Sequence, residues 1–232
     1  MRWSAESADA LDAEQRRLAT IESRSWGPGP GSLLVGGCFL AFASGQQGPG
    51  HAGDRGWAGA AVVRCPELEN IDGAVVPSRA GAPYDPGRLA LREGPALAAA
   101  VDALTVRPEV LLVDATGRDH PRGAGLAVHL GARLGLPSIG VTNRALVAGF
   151  DEPGMERGSV APLLLDGEVV GYAVRTRAGV NPVLAHAGWR TSPALARDLV
   201  LALAGRWRTP PPLREARTLA RAARAAPDRA AT

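Results

Sequence analysis

Val110-Leu111-Leu112-Val113-Asp114-Ala115-Thr116-Gly117-Arg118-Asp119-His120-Pro121-Arg122 is the stretch on which the rest of the chain turns. Four consecutive apolar residues, with Pro108 before them, read as a short strand covered on both faces, as in a parallel sheet. The strand then delivers a carboxylate, a small-residue turn, a second carboxylate and a histidine into one loop. Asp114 falls at the strand's carboxyl end, the edge at which open α/β sheets build their sites. His120, fixed by Pro121 and flanked by Arg118 and Arg122, adds a titratable group among cationic donors. Such a set suits metal-assisted chemistry on a phosphate ester. The plainer alternative is a strand followed by a polar surface loop.

Upstream, Leu11, Leu18 and Ile21 recur at helical spacing within Ala5–Ser23 and predict an amphipathic helix, broken by Trp26–Gly31. The apolar run Leu33–Ala43 reads as a central strand. A glycine-rich loop, Gln46–Arg55, then leads to strands over Ala58–Arg64 and Ile71–Pro77, which together predict an antiparallel meander. Leu91, Leu97, Val101 and Leu104 mark a helix over Leu89–Leu104. Downstream, Gly125–Leu134 reads as a helix ending at Gly135, followed by a parallel strand, Ser138–Val141. Strands over Pro162–Leu165, Val169–Arg175 and Pro182–Ala185 follow. The last clear helix is Ala194–Leu203, capped by Ser192 with Pro193 at its first position. Residues 210–232, rich in Arg and Ala, read as a helix docked loosely, or as a frayed tail. The whole, 1–232, reads as a single α/β domain: a mixed sheet of antiparallel meander and parallel strands, flanked by helices.

At 232 residues with 46% hydrophobic and 4% aromatic residues, the chain can bury a large core, built mostly of Leu, Val and Ala. All 26 basic residues are arginine, so any step that needs a lysine ammonium has none to use. A net charge of +3 is compatible with a nucleic-acid partner without requiring one. Cys38 and Cys65 lie in apolar runs and read as buried free thiols. No run approaches the roughly 18 apolar residues that cross a bilayer, and no leader-like segment opens the chain. A cytoplasmic protein without a membrane partner is the expectation.

Several blocks, in order, resemble the endonuclease V family, repair nucleases with a ribonuclease-H-like fold that act beside deaminated purines such as deoxyinosine. They are Leu34 to Phe42 (LVGGCFLAF), Pro83 to Glu93 (PYxPGxLxxRE), and Val113 to Gly131 (VDxxGxxHPRxxGxAxHxG). Leu136 to Val141, Asn181-Pro182 and Gly188-Trp189-Arg190 continue the series. The resemblance implies a monomer that binds damaged DNA or RNA. It implies Mg²⁺ or Mn²⁺ held by Glu93 and Asp114, with His120 beside the attacking water or phosphate. Tyr84, within Pro83 to Pro86, matches the wedge that opens a duplex at the lesion, where a flipped base is read. Gly117, Arg122 and Asn143 match positions around the bound substrate.

Three positions depart from that pattern. The central metal aspartate of the first strand falls on Phe39, the lysine after the Gly-Val pair on Asn143, and the late histidine on Trp189. Arg144 follows Asn143, but adjacent strand residues face opposite sides. Asp85 also stands where the family has an apolar wedge residue, so a carboxylate there is expected to repel phosphate. Replacing a carboxylate by a phenyl ring removes a charge and oxygen ligands from a dication that demands near-octahedral oxygen geometry. The expectation is therefore weakened metal binding and reduced or absent cleavage. The alternatives are a silent relative that binds nucleic acid or protein through the same groove, or a hydrolase with new ligands such as Asp119 or Asp54.

Overall fold

A computed structural model describes residues 7–21, 24–45 and 50–226. The ends of the expected first helix (5, 6, 22 and 23), residues 46–49 of the glycine-rich loop and the last six residues of the tail lie outside them. Thirteen elements follow in order. They are α1 (Ala8–Thr20), β1 (Leu33–Phe42), β2 (Arg55–Cys65), β3 (Glu69–Arg79), α2 (Leu89–Asp102), β4 (Val110–Val113) and α3 (Leu126–Leu134). Then come β5 (Ser138–Thr142), β6 (Val160–Leu165), β7 (Glu168–Val174), β8 (Val183–Ala187), α4 (Pro193–Ala204) and α5 (Pro211–Ala225).

The strands form one eight-stranded sheet in the order β3-β2-β1-β4-β5-β8-β7-β6. β1, β2 and β3 are the expected antiparallel meander, while β4 runs parallel to both β1 and β5. All four residues of β4 are fully buried because both faces are covered. Leu111 and Val113 pack with α2 and α3 in one core, Val110 and Leu112 with α4 in the other. Local chemistry sets the helix ends. Ser7 and Ser192 accept N–H groups of Ala10 and Leu195 at the starts of α1 and α4, and Gly135 takes the left-handed turn that closes α3. Among the described residues, no helix is long and apolar enough to cross a membrane, and both cysteines are buried and free.

The expectation of a loose tail is overturned through Ala225. The helix α5 lies across β1 and β2, with Leu213, Ala216 and Ala220 buried to 1% exposure or less. Two strand glycines let it approach. A Cβ on Gly37 would meet the Pro212 carbonyl at 2.3 Å, and one on Gly59 the Ala216 carbonyl at 2.4 Å. Small residues every three or four positions on the helix thus rest on a sheet surface stripped of side chains. This docking carries the arginines of α5 over the carboxyl ends of β1 and β4.

Candidate functional site

The register of β1 on β4 pairs Cys38 with Val113, which brings Phe39 alongside Asp114, the next residue of each strand. Alternation turns Phe39 toward α5, the same side as Gly37. Arg217 lies over the Phe39 ring, 5.0 Å from its centre, and its Nη2 donates to Asp114 Oδ2 at 3.0 Å. Arg221, one turn on, lies 5.7 Å from the same ring centre.

Glu93 comes from α2, and it shares with Phe39 and Asp114 a cavity of about 210 Å³ whose other walls are largely apolar. Burial pushes its carboxyl up to about 7; Arg92 opposes the shift and the charge of Asp114 adds to it. The turn that presents Glu93 is unusual. Pro95 inside α2 removes the N–H that would bond the Leu91 carbonyl. The preceding loop packs against this turn: Gly81 N–H donates to the neighbouring Arg92 carbonyl at 3.0 Å, and a Cβ on Gly81 would meet the Leu91 oxygen at 2.2 Å. Arg92 itself is buried and structural, bonded to Asp54 and the Ala82 and His51 carbonyls and stacked on Phe42.

The metal expected from the resemblance does not fit these residues. A phenyl ring takes the place of the central ligand, and a guanidinium is hydrogen-bonded to one of the two remaining carboxylates. Among the described residues, no three His, Cys, Asp or Glu side chains converge as a metal cluster. The alternative ligands fare no better. Asp119 is fully buried and accepts the N–H groups of Leu146, Val147 and Ala148 at 2.8–2.9 Å, which pins the loop after β5. Asp54 is bonded to Arg92 and to the His51 N–H.

A second cavity, of about 310 Å³, opens on the other side of Tyr84. It is lined by Asp114 and Thr116, by Tyr84 and Asp85, by Thr142 with Arg144 to Leu146, and by Gln15, Gly87 and His120. Tyr84 is 49% exposed and lines both cavities. The loop bearing it is fastened from behind at one atom, the carbonyl oxygen of Gly87. Arg122 Nη2 donates to it at 2.6 Å, His120 Nε2 at 2.9 Å and Gln15 Nε2 at 3.2 Å. The Arg122 N–H donates to His120 Nδ1 at 3.1 Å, so Nε2 carries the proton. Burial holds the ring neutral, its pKa pushed down to about 4 despite the bond to Gly87. Around this point, Asp12 takes two hydrogen bonds from Arg88 and an ion pair from Arg122, and Arg88 also pairs with Asp85 at 2.9 Å.

Several sequence expectations change accordingly. His120 is 2% exposed with both ring nitrogens occupied, so it braces the loop while its ring lines the larger cavity. Arg122 does the same work. Asp85 is paired with Arg88, which offsets the repulsion expected of it. Gly117 is buried against β8, where a Cβ would lie 2.0 Å from the Ala187 carbonyl. Pro83 and Pro86 are exposed in the loop and line neither cavity. Trp189 packs on Leu18, Ala124 and Val128, away from both cavities, and is not placed to stack on a base. Because β5 ends at Thr142, strand alternation no longer governs the next two residues: Asn143 is exposed, and Arg144 lines the larger cavity.

Sequence reasoning missed three residues. Gln15 falls between Leu11 and Leu18 on the buried face of α1, and the helical spacing already marked that face. His186, on β8, bonds through Nε2 to the Thr142 hydroxyl at 2.7 Å, and burial keeps it neutral against the pull of Asp119. Arg217 had no signal apart from its place in an arginine-rich stretch.

An antiparallel meander continued by parallel strands, with carboxylates at the strand ends beside an exposed tyrosine loop, defines a protein of the ribonuclease-H-like α/β class. Residues 29–218 match the Endonuclease V family, and the chain belongs to it. It is 48% identical over 162 residues to endonuclease V of Nocardia farcinica, across 70% of this chain and 71% of that protein. The crystal structure of endonuclease V from Streptomyces avermitilis matches with a TM-score of 0.82 at 37% identity, covering 95% of this chain and 94% of that one. Endonuclease V of Ciona intestinalis, in complex with a 24mer DNA containing an inosine followed by a ribo-adenosine, shares the fold. Its TM-score is 0.77 at 21% identity, over 94% of this chain and 98% of that one.

Proposed function

We propose that this protein binds nucleic acid carrying a deaminated base and has lost the phosphodiester cleavage of its family. The observation that carries this reading is the replacement at the strand ends: the Phe39 ring lies where a metal carboxylate is expected, and Arg217 is bonded to Asp114. Hydrolysis by this fold needs a metal to activate water and to neutralise charge at the phosphate. An arginine supplies charge but no activated water, and the chain has no lysine to assist. The recognition side favours retained binding. Tyr84 is exposed at the mouth of the 310 Å³ cavity, which is of small-ligand size. A flipped base enters that cavity, with Tyr84 as the wedge that fills the gap left in the stack. Glu93 then serves as a wall of the smaller cavity, with no metal to hold.

The test is nicking and binding measured together on a duplex with one deoxyinosine, with Mg²⁺ or Mn²⁺ present. Salt-sensitive binding that prefers the lesion, without nicking, is the expected result. Nicking by the wild type that vanishes in Asp114→Ala would overturn it.

A further inference from the structure

The substituted strand ends keep one property of a metal seat, which is that they attract a cation. The face of an aromatic ring carries negative electrostatic potential, and beside it lies the Asp114 carboxylate. The cation that fills this seat belongs to the chain: the Arg217 guanidinium lies 5.0 Å above the ring centre and 3.0 Å from the carboxylate. Arg221 adds a second positive charge at 5.7 Å from the ring, so two arginines face a single aspartate. The side chains of Arg217 and Asp114 are each 29% exposed, and Arg221 is exposed, so the cluster is open to solvent.

We propose that Arg217 is a built-in replacement for the family's metal ion and that, with Arg221, it forms a metal-independent subsite for one phosphodiester group of a bound strand. The inference rests on the reading of this groove as a nucleic-acid site, and it adds which atoms hold the backbone. Its chemistry is that of arginine. A guanidinium has five N–H donors in a planar fork that matches phosphate oxygens. Among the described residues, the hydrogen bond to Asp114 engages one of those of Arg217. Stacking on Phe39 fixes the plane of the fork, and the ion pair fixes its direction, so little order is lost when a phosphate docks. Arg221 restores the net positive charge that Asp114 takes from Arg217. A divalent ion in the family's place would instead be repelled by the guanidinium.

The test measures fluorescence anisotropy of labelled inosine-containing DNA, and of inosine-containing RNA of the same sequence, in EDTA and in Mg²⁺. Wild type is compared with Arg217→Ala, Arg221→Ala and the double variant, each checked for unchanged thermal unfolding. The wild type is expected to bind equally well in EDTA and in Mg²⁺. The double variant is expected to bind about tenfold more weakly, with the slope of log affinity against log salt reduced by about 1, the value of one phosphate contact. The nucleic acid for which the loss appears is the backbone the subsite serves. Arg217→Lys, which keeps the charge without the fork, is expected to recover only part of the affinity.

If Mg²⁺ tightens wild-type binding, a metal and not an arginine fills the seat, and the inference falls. It also falls if a folded double variant binds with wild-type affinity and salt slope, which leaves the proposed function standing. A wild type that binds neither nucleic acid overturns both.

Discussion

The loop that carries Tyr84 and the strand ends that carry Phe39 and Asp114 border the same groove, yet they are built differently. Behind the loop, Gln15, Asp12, Arg88, His120 and Arg122 form one continuous hydrogen-bonded network centred on the Gly87 carbonyl. The five come from three segments distant in sequence: α1, the residue before α2, and the loop after β4. The strand ends have no such network, only a ring, an ion pair and two stacked arginines. The two regions therefore depend on separate sets of bonds. Substitutions at the strand ends are expected to leave the Tyr84 loop fastened, because none of these five residues bonds to Phe39 or Asp114 in the described structure.

That separation can be broken from either side. The largest effect is expected from Gly37→Val. Its new side chain meets backbone of α5 that a rotamer change cannot move, and displacing the helix is expected to destabilise the fold by roughly 3 kcal/mol. Calorimetry measures the loss, and binding in the same variant is expected to lose its arginine contribution. Gln15→Leu attacks the wedge side. It removes the bond to the Gly87 carbonyl and leaves the Arg122 Nε–H without its acceptor, for an expected loss of about 2 kcal/mol in denaturant unfolding. Lesion preference is expected to weaken with it. A Gln15→Leu variant as stable as wild type would show that the network is not what fastens the loop.

Protons separate the two regions more gently, and in opposite directions. His120 titrates near 4 in the fold against 6.5 in a free chain. Its contribution to stability is whole above about 6.5 and is lost as pH falls toward 4. Glu93 is raised to about 7 from 4.5, so the fold binds the extra proton and stability declines as pH rises from 4.5 through 7. Unfolding measured between pH 4 and 8 is expected to fall less steeply at the acid end in His120→Asn, and less at the neutral end in Glu93→Gln. The smallest effect belongs to Asp85→Ala. Its ion pair with Arg88 is half exposed, so stability is expected to change by no more than about 0.5 kcal/mol.

Much of the fold was legible because the apolar periods are clean. The buried run of β4, the helical stripe of α2 and the turn residue Gly135 each have a local cause, and local causes can be read from a sequence. The helix of α5 is legible but its close docking is not, because its buried side is alanine, with Leu213 alone bulky, and it needs Gly37 and Gly59 from strands about 160 to 175 residues earlier. Nothing in Ala216 or Ala220 announces a bare patch of sheet. The substitutions Phe39, Asn143 and Trp189 were legible as departures, but their consequences were not. The partnership of Arg217 with Phe39 depends on how a helix docks, and the burial of Trp189 on where a loop turns. The place of His120 beside the site is legible from the resemblance, but its bond to the Gly87 carbonyl, 33 residues earlier, has no local signal.

Three donors from two separate segments, α1 and the loop after β4, meet at the Gly87 oxygen, and this bears on the heat of binding. A loop closed by its own ligand loses conformational freedom at that moment, and affinity falls by that amount. Here the loop is immobilised when the chain folds, by contacts made within the protein. Tyr84 therefore stands on a loop already fixed, and under the proposed function calorimetric titration with inosine-containing DNA is expected to record an association free of the large unfavourable entropy that accompanies coupled ordering.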